Sequence, residues 1–199
     1  MLAALVDHRA GNYLFFFPSY QYLKMVLDVF PDATSGNGQV RILVQKPFMG
    51  EAEREMFVGR FMGGENETLA GFAVMGGIFG EGIDLTGERL SAAAVIGVGL
   101  PMICPERELI REYYRNKNGR GFDFAYKYPG INRVLQAAGR VIRSETDRGV
   151  VLLIDERFAK PAYKALFPAH WEISRIDDCD GLRKELADFW GERFGVTAS

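Results

Sequence analysis

The chain has 199 residues, 48% of them hydrophobic, with 15 Phe and 8 Tyr, which is enough to bury a single core without a disulfide. Two cysteines, Cys104 and Cys179, exclude a disulfide framework or a four-cysteine zinc site, and a net charge of -2 excludes a global basic field for nucleic acid. No apolar run approaches the ~20 residues of a membrane span and the start carries no signal pattern, so a cytoplasmic chain with no membrane partner is expected.

The elements alternate along the chain. The run NYLFFF, Asn12 to Phe17, predicts a buried strand. Pro18 ends it, and Ser19 is placed to cap a helix reaching about Phe30. PDATSGNGQ is a loop, and VRILVQ, Val40 to Gln45, a second strand. A helix from about Glu51 to Phe61 leads to the strand LAGFAVM, Leu69 to Met75, and to a glycine-rich turn. AAAVIGVGL, Ala92 to Leu100, is the fourth strand. A polar, aromatic helix follows Pro101 and ends near Asn116. A further helix carries QAAGRVIRSETDRG, Gln136 to Gly149, and leads to the strand VVLLID, Val150 to Asp155. The last third is helical, with an amphipathic stretch around Leu182 to Phe194.

Continuous apolar runs separated by helices predict an α/β domain, a mostly parallel sheet with helices on both faces. Residues 1–199 read as one domain, with a core of about 12–158 and a helical segment after it. Ligands of such sheets gather beyond the carboxyl ends of the strands. Here those ends are Pro18–Ser19, Gln45–Lys46, Gly76 to Asp84, Pro101 and Asp155.

Rotating about 100° per residue from Gln136 brings Arg140 to about 40° and Arg143 to about -20°. Ile131, Val134, Leu135, Ala138, Val141 and Ile142 fall on the opposite, core side. Gly139 lies mid-helix, at a cost of ~1 kcal/mol relative to Ala, which suits a close approach of a ligand or another backbone. Two arginines one turn apart can bracket a phosphate, and Gln136 can order a water or a phosphate oxygen beside them. The turn VMGGIFGEGIDL sets Gly76, Gly77, Gly80 and Gly82 beside Glu81 and Asp84. Its glycines let backbone N–H groups face an anion. No Gly-Lys-Ser/Thr phosphate loop and no magnesium-binding acidic tetrad occurs.

Three stretches, FFFPSYQYL, GGIFGEGIDLTGERLSAAAVIGVGLP and YPGINRVLQAAGRVIRSETDRGVVLLIDERF, resemble motifs IV, V and VI of the second motor domain of the XPD/DinG family of superfamily 2 DNA helicases. The resemblance runs from about Asn12 to Phe158. It implies a RecA-like fold and the C-terminal half of an ATP-dependent DNA helicase. ATP and Mg2+ would be bound mainly through an N-terminal helicase domain of the same protein, where an iron–sulfur cluster can also reside. Arg140 and Arg143 would then reach the γ-phosphate as arginine fingers, with Gln136 ordering the attacking water. Gly82, Asp84, Glu81 and Gly139 would border the nucleotide cleft, and Asp147 would orient an arginine. Ser19, Tyr20 and Gly77 would touch single-stranded DNA, with Tyr20, Tyr22 and Phe79 as candidates for base stacking. Arg157 is expected to be structural, paired with Asp155. The fingers are expected to face the rim where the loops of the sheet converge.

Two alternatives stand beside this one. A non-catalytic nucleic-acid or protein binding module could use the same fold, although it would be expected to lose one of Gln136, Arg140 and Arg143. A nucleotide-binding transferase or dehydrogenase would need G-x-G-x-x-G after the first strand, where PSYQYL stands instead.

Overall fold

The computed structural model describes residues 1–30, 40–62, 67–76, 79, 90–141 and 148–191. Five strands form one sheet: β1 (Asn12–Phe17), β2 (Val40–Val44), β3 (Thr68–Val74), β4 (Ala92–Ile96) and β5 (Val150–Ile154). Their order is β2-β3-β1-β4-β5, and every pairing is parallel. The buried runs predicted as strands therefore lie where a parallel sheet needs them, covered on both faces.

Side chains alternate strictly across the central strand. Tyr13, Phe15 and Phe17 face a cluster that holds Leu5 of α1 (Leu2–His8), Leu23 of α2 (Tyr20–Leu27) and Phe72. Leu14 and Phe16 face the other layer, with Phe57 of α3 (Glu51–Gly59), Phe61, Phe79 and Ile131. Phe17 stacks on Phe72 at 5.4 Å, and Phe15 meets Phe72 edge-on at 5.3 Å. Burying each such side chain contributes about 1.5–3 kcal/mol. Gly71 of β3 makes room for this packing: a Cβ there would stand 2.6 Å from the Phe61 ring.

Two helices lie between β4 and β5, α4 (Pro105–Asn118) and α5 (Tyr128–Ala138), joined by a π-helical turn over Asp123–Lys127. The strand predicted to reach Leu100 stops at Ile96, because Gly97 (φ +82°) and Gly99 (φ +65°) take left-handed backbone that breaks the ladder. The short α6 (Pro161–Lys164) and the long α7 (Cys179–Gly191) close the chain, and α7 packs against α1 through Leu182 and Leu186.

The helix α5 crosses one face of the sheet antiparallel to the strands. Its start touches the carboxyl end of β4, where a Cβ on Gly130 would meet the Val98 carbonyl oxygen at 2.6 Å. Beyond its far end, Val141 reaches the amino ends of β4 and β5: a Cβ on Gly149 would stand 2.2 Å from Val141 Cγ1 and 3.2 Å from the Ser91 carbonyl oxygen. Ile131, Val134, Ala137, Ala138 and Val141 are buried and Leu135 is half-buried, as the apolar side of the wheel requires. The helix ends earlier than its polar stripe predicts. After Ala138 the bonds shorten to i→i-3, from Arg140 N to Ala137 O (3.3 Å) and from Val141 N to Ala138 O (3.1 Å).

Candidate functional site at the two ends of the sheet

The expected single rim is divided between the two ends of the sheet. A crossover helix of a parallel sheet must run from the carboxyl end of one strand back to the amino end of the next. Gln136, Gly139 and Arg140 sit late on α5 or just beyond it, so they lie toward the amino ends of β4 and β5. Ser19 and Tyr20 follow β1 and lie at the carboxyl ends. Gly77, Glu81, Gly82, Asp84, Arg143 and Asp147 lie outside the described residues.

At the amino end, Gln136 and Gly139 are exposed and Arg140 is half-buried. Among the described residues, no second segment of backbone approaches Gly139. A Cβ on it would meet only carbonyls of its own helix, Leu135 O at 3.2 Å and Gln136 O at 3.7 Å. Its role here is local: it caps the helix (φ -64°, ψ -3°) and starts the tightened turn.

At the carboxyl end, the Ser19 Oγ accepts from the Tyr22 amide at 3.2 Å and caps α2, as its position before the helix predicts. A buried amide, Gln45 (3% exposed), organises the neighbouring strand ends. Its backbone N–H donates to Phe72 O (2.8 Å), and its Oε1 accepts from Val74 N (2.8 Å). The side chain thus extends the β2–β3 ladder by one rung after β2 has ended. Gln45 Nε2 donates to the Tyr20 hydroxyl at 2.9 Å, which in turn donates to Lys46 O at 3.4 Å. Partial burial pushes the Tyr20 hydroxyl pKa up, and the Gln45 hydrogen bond opposes the shift.

Of the aromatic candidates, Phe79 cannot stack on a base. It is fully buried and stacked on Phe57 at 4.3 Å, inside the core. Tyr20 and Tyr22 remain exposed. The Asp155–Arg157 pairing is present: Asp155 Oδ1 accepts from Arg157 Nε (2.8 Å) and Oδ2 from Nη2 (2.7 Å). These bonds hold the Asp155 carboxyl below its ordinary pKa of 3.8.

One arginine escaped the sequence reading. Arg133 of α5 lies over Gly76 at the end of β3, where a Cβ would stand 2.8 Å from its Nε, and its Nη1 donates to Gly99 O at 3.4 Å beyond β4. The signal was in the wheel, since three residues back from Gln136 is about 60° away on the same polar stripe. Among the described residues there is no group of three or more His, Cys, Asp or Glu placed to hold a metal ion, and no helix is long and apolar enough to cross a membrane.

An all-parallel sheet in this strand order, with helices on both faces, has a RecA-like fold. A solved structure described as "XPD_Helicase" superposes with a TM-score of 0.59 at 22% identity, covering 82% of this chain and 28% of that one. Among curated relatives, a "Regulator of telomere elongation helicase 1 homolog" of Caenorhabditis elegans is 32% identical over 141 residues, 65% of this chain and 14% of the relative. "ATP-dependent DNA helicase YoaA" of Escherichia coli (strain K12) is 32% identical over 123 residues, 60% of this chain and 18% of the relative. "Regulator of telomere elongation helicase 1" of Bos taurus is 28% identical over 197 residues, covering 89% and 16%. The chain therefore spans less than a fifth of the length of these three proteins. Residues 2–174 match the family described as "Helicase C-terminal domain", and the chain belongs to that family.

Proposed function

We propose that the chain is the second motor domain of an ATP-dependent DNA helicase, with nucleotide chemistry at the amino end of its sheet and single-stranded DNA at the carboxyl end. The placement of Gln136 and Arg140 carries this proposal: both stand off the core, at the opposite end of the sheet from Ser19 and Tyr20. Two separate ends suit a motor that holds a nucleotide and a strand at once. Arg140, with Arg143, would contact the γ-phosphate of ATP held by an N-terminal helicase domain of the same protein. Gln136 would order the attacking water, and Gly82, Asp84, Glu81 and Gly139 would border the cleft.

Arginines supplied in this way stabilise the charge that develops in phosphoryl transfer and contribute ~10³-fold or more in related NTPases. Mg2+ would come with ATP and take its protein ligands from the other domain, which is also where any iron–sulfur cluster would sit. Ser19, Tyr20 and Gly77 would meet the DNA backbone. Hydroxyl and N–H contacts of this kind set position without reading sequence. A cytoplasmic helicase of DNA repair is the setting this implies.

The test is single-strand-stimulated ATP hydrolysis by the protein that contains this chain. Arg140→Ala and Arg143→Ala are each expected to lower the rate by at least ~10²-fold with folding intact. Normal rates in both would remove the finger roles. The 199-residue chain alone is expected not to hydrolyse ATP; hydrolysis by it that Arg140→Ala abolishes would overturn the half-site assignment.

A further inference from the structure

We propose that Arg133 is a phosphate-backbone contact for single-stranded DNA, at the carboxyl end of the sheet between the ends of β3 and β4. The proposal rests on the carboxyl end being the DNA side, and it adds a residue that neither the sequence motifs nor the comparisons single out.

Three observations carry it. The first is the seat of the side chain. Arg133 leaves the middle of α5, and its side chain reaches back to the carboxyl end of the sheet and lies across Gly76, with its Nη1 on Gly99 O. Both glycines have left-handed φ, +69° and +65°. A Cβ on Gly76 would come within 2.8 Å of Nε and 3.0 Å of Cζ, so only glycine leaves the guanidinium its place. The arm is thus oriented before any ligand arrives, which lowers the entropy lost on binding.

The second is charge. Several other arginines of the described residues face carboxylates: Arg41 meets Glu67 at 2.6 Å, Arg120 meets Asp123 at 3.3 Å and Arg157 meets Asp155 at 2.7 Å, while Arg54 and Arg107 donate to main-chain carbonyls at 3.0 and 3.1 Å. Arg133 has no carboxylate within ion-pair distance among the described residues. A guanidinium has five N–H donors, and among the described residues this one makes a single long bond to a carbonyl, 3.4 Å. It is half-buried, so its charge is only partly hydrated. An anion arriving there meets a forked donor with free capacity, which suits a phosphate better than a base edge.

The third is position. Between the ends of β3 and β4 lies the end of β1: Met75 N donates to Phe17 O at 2.8 Å, and a Cβ on Gly97 would lie 3.8 Å from Pro18. The chain turns from Pro18 into the capped start of α2. Arg133 and Ser19 therefore border the same stretch of the carboxyl end. The carboxyl ends of the strands are the usual ligand position of open parallel sheets.

The experiment is fluorescence anisotropy of a labelled oligothymidylate titrated with the 199-residue chain over a series of salt concentrations. Arg133→Gln is expected to weaken binding about 10-fold. It should also reduce the slope of log affinity against log salt by about 0.7, the value for one phosphate contact on a single strand. Arg133→Lys, which keeps the charge, should restore the slope without the full affinity. Gly76→Ala, which displaces the guanidinium and leaves its charge, should weaken binding while thermal melting reports the folded chain. Arg183→Gln, on α7, controls for net charge and should leave the slope unaltered. If the wild type binds and Arg133→Gln keeps its affinity and slope, the Arg133 assignment fails and the helicase proposal stands. A wild-type chain that shows no salt-dependent binding to single strands overturns both.

Discussion

Replacing Gln45 with Met keeps the length of the side chain and removes both polar ends. Oε1 is the acceptor for Val74 N at 2.8 Å, and Nε2 the donor to the Tyr20 hydroxyl at 2.9 Å. Losing an acceptor leaves an amide without its rung, at ~1–3 kcal/mol. Val74 is only half-buried, so water can reach part of that strand end and the lower part of the range applies. The Tyr20 bond adds little, ~0.5 kcal/mol, because Tyr20 is 37% exposed and its hydroxyl can turn to solvent. The sum is about 2 kcal/mol, or a melting point lower by about 4–8 °C for a domain of this size. Urea unfolding measures the total, and amide exchange at Val74 localises it. Combining Gln45→Met with Tyr20→Phe should give less than the sum of the two, since they share one bond. The Tyr20 pKa should also rise further in Gln45→Met, because the bond that opposed its upward shift is gone. A stability within ~0.5 kcal/mol of wild type, with unchanged exchange at Val74, would refute the ladder-extension role of Gln45.

Three further outcomes follow from particular contacts. Gly149→Ala places a Cβ 2.2 Å from Val141 Cγ1, and should cost about 1–3 kcal/mol by overpacking; adding Val141→Ala should recover part of it in urea melts, whereas simple additivity would deny the contact. The depressed Asp155 pKa gives stability that is present above the ordinary value of 3.8 and lost as pH falls through the lower folded value. The stability gap between wild type and Asp155→Asn should therefore close on acidification, and parallel pH curves would contradict it. Burial pushes the Tyr13 hydroxyl, which donates to Arg9 O at 2.5 Å, up to about 12 from 10.0. Its contribution is complete below pH 10 and is lost as pH rises toward 12, so Tyr13→Phe should flatten the alkaline limb and remove a tyrosine titrating near 12 from the absorbance titration.

Much of the fold was legible because parallel strands buried on both faces are written as unbroken apolar runs, and β1 matches NYLFFF residue for residue. Ser19 and the Asp155–Arg157 pair were equally readable, since both are local contacts spanning three residues or fewer. The shortening of β4 was not, because a glycine in a strand-like run announces freedom and does not say that φ turns positive. Phe79 looked available in a glycine-rich turn, and only the packing against Phe57 shows that it is core. The division of the candidate residues between the two ends of the sheet could have been deduced from the crossover rule. The carboxyl-end rule alone points every ligand to one side of the sheet and hides this division. Arg133 lay on the recognised stripe, but its significance depends on Gly76 and Gly99, which are brought to it only by the sheet.

Where α5 meets the loop after β4, main chain lies on main chain, Gly130 against Val98 and Gly99, with the Leu100 and Arg133 side chains beside it. Rotamer changes can let packed helices slide, but main chain held against main chain offers less such play. In the proposed helicase, a tug on DNA at one end of this helix, or a pull on a phosphate at the other, would then shift the sheet and the helix as one block, so that the proposed domain would act as a stiff lever.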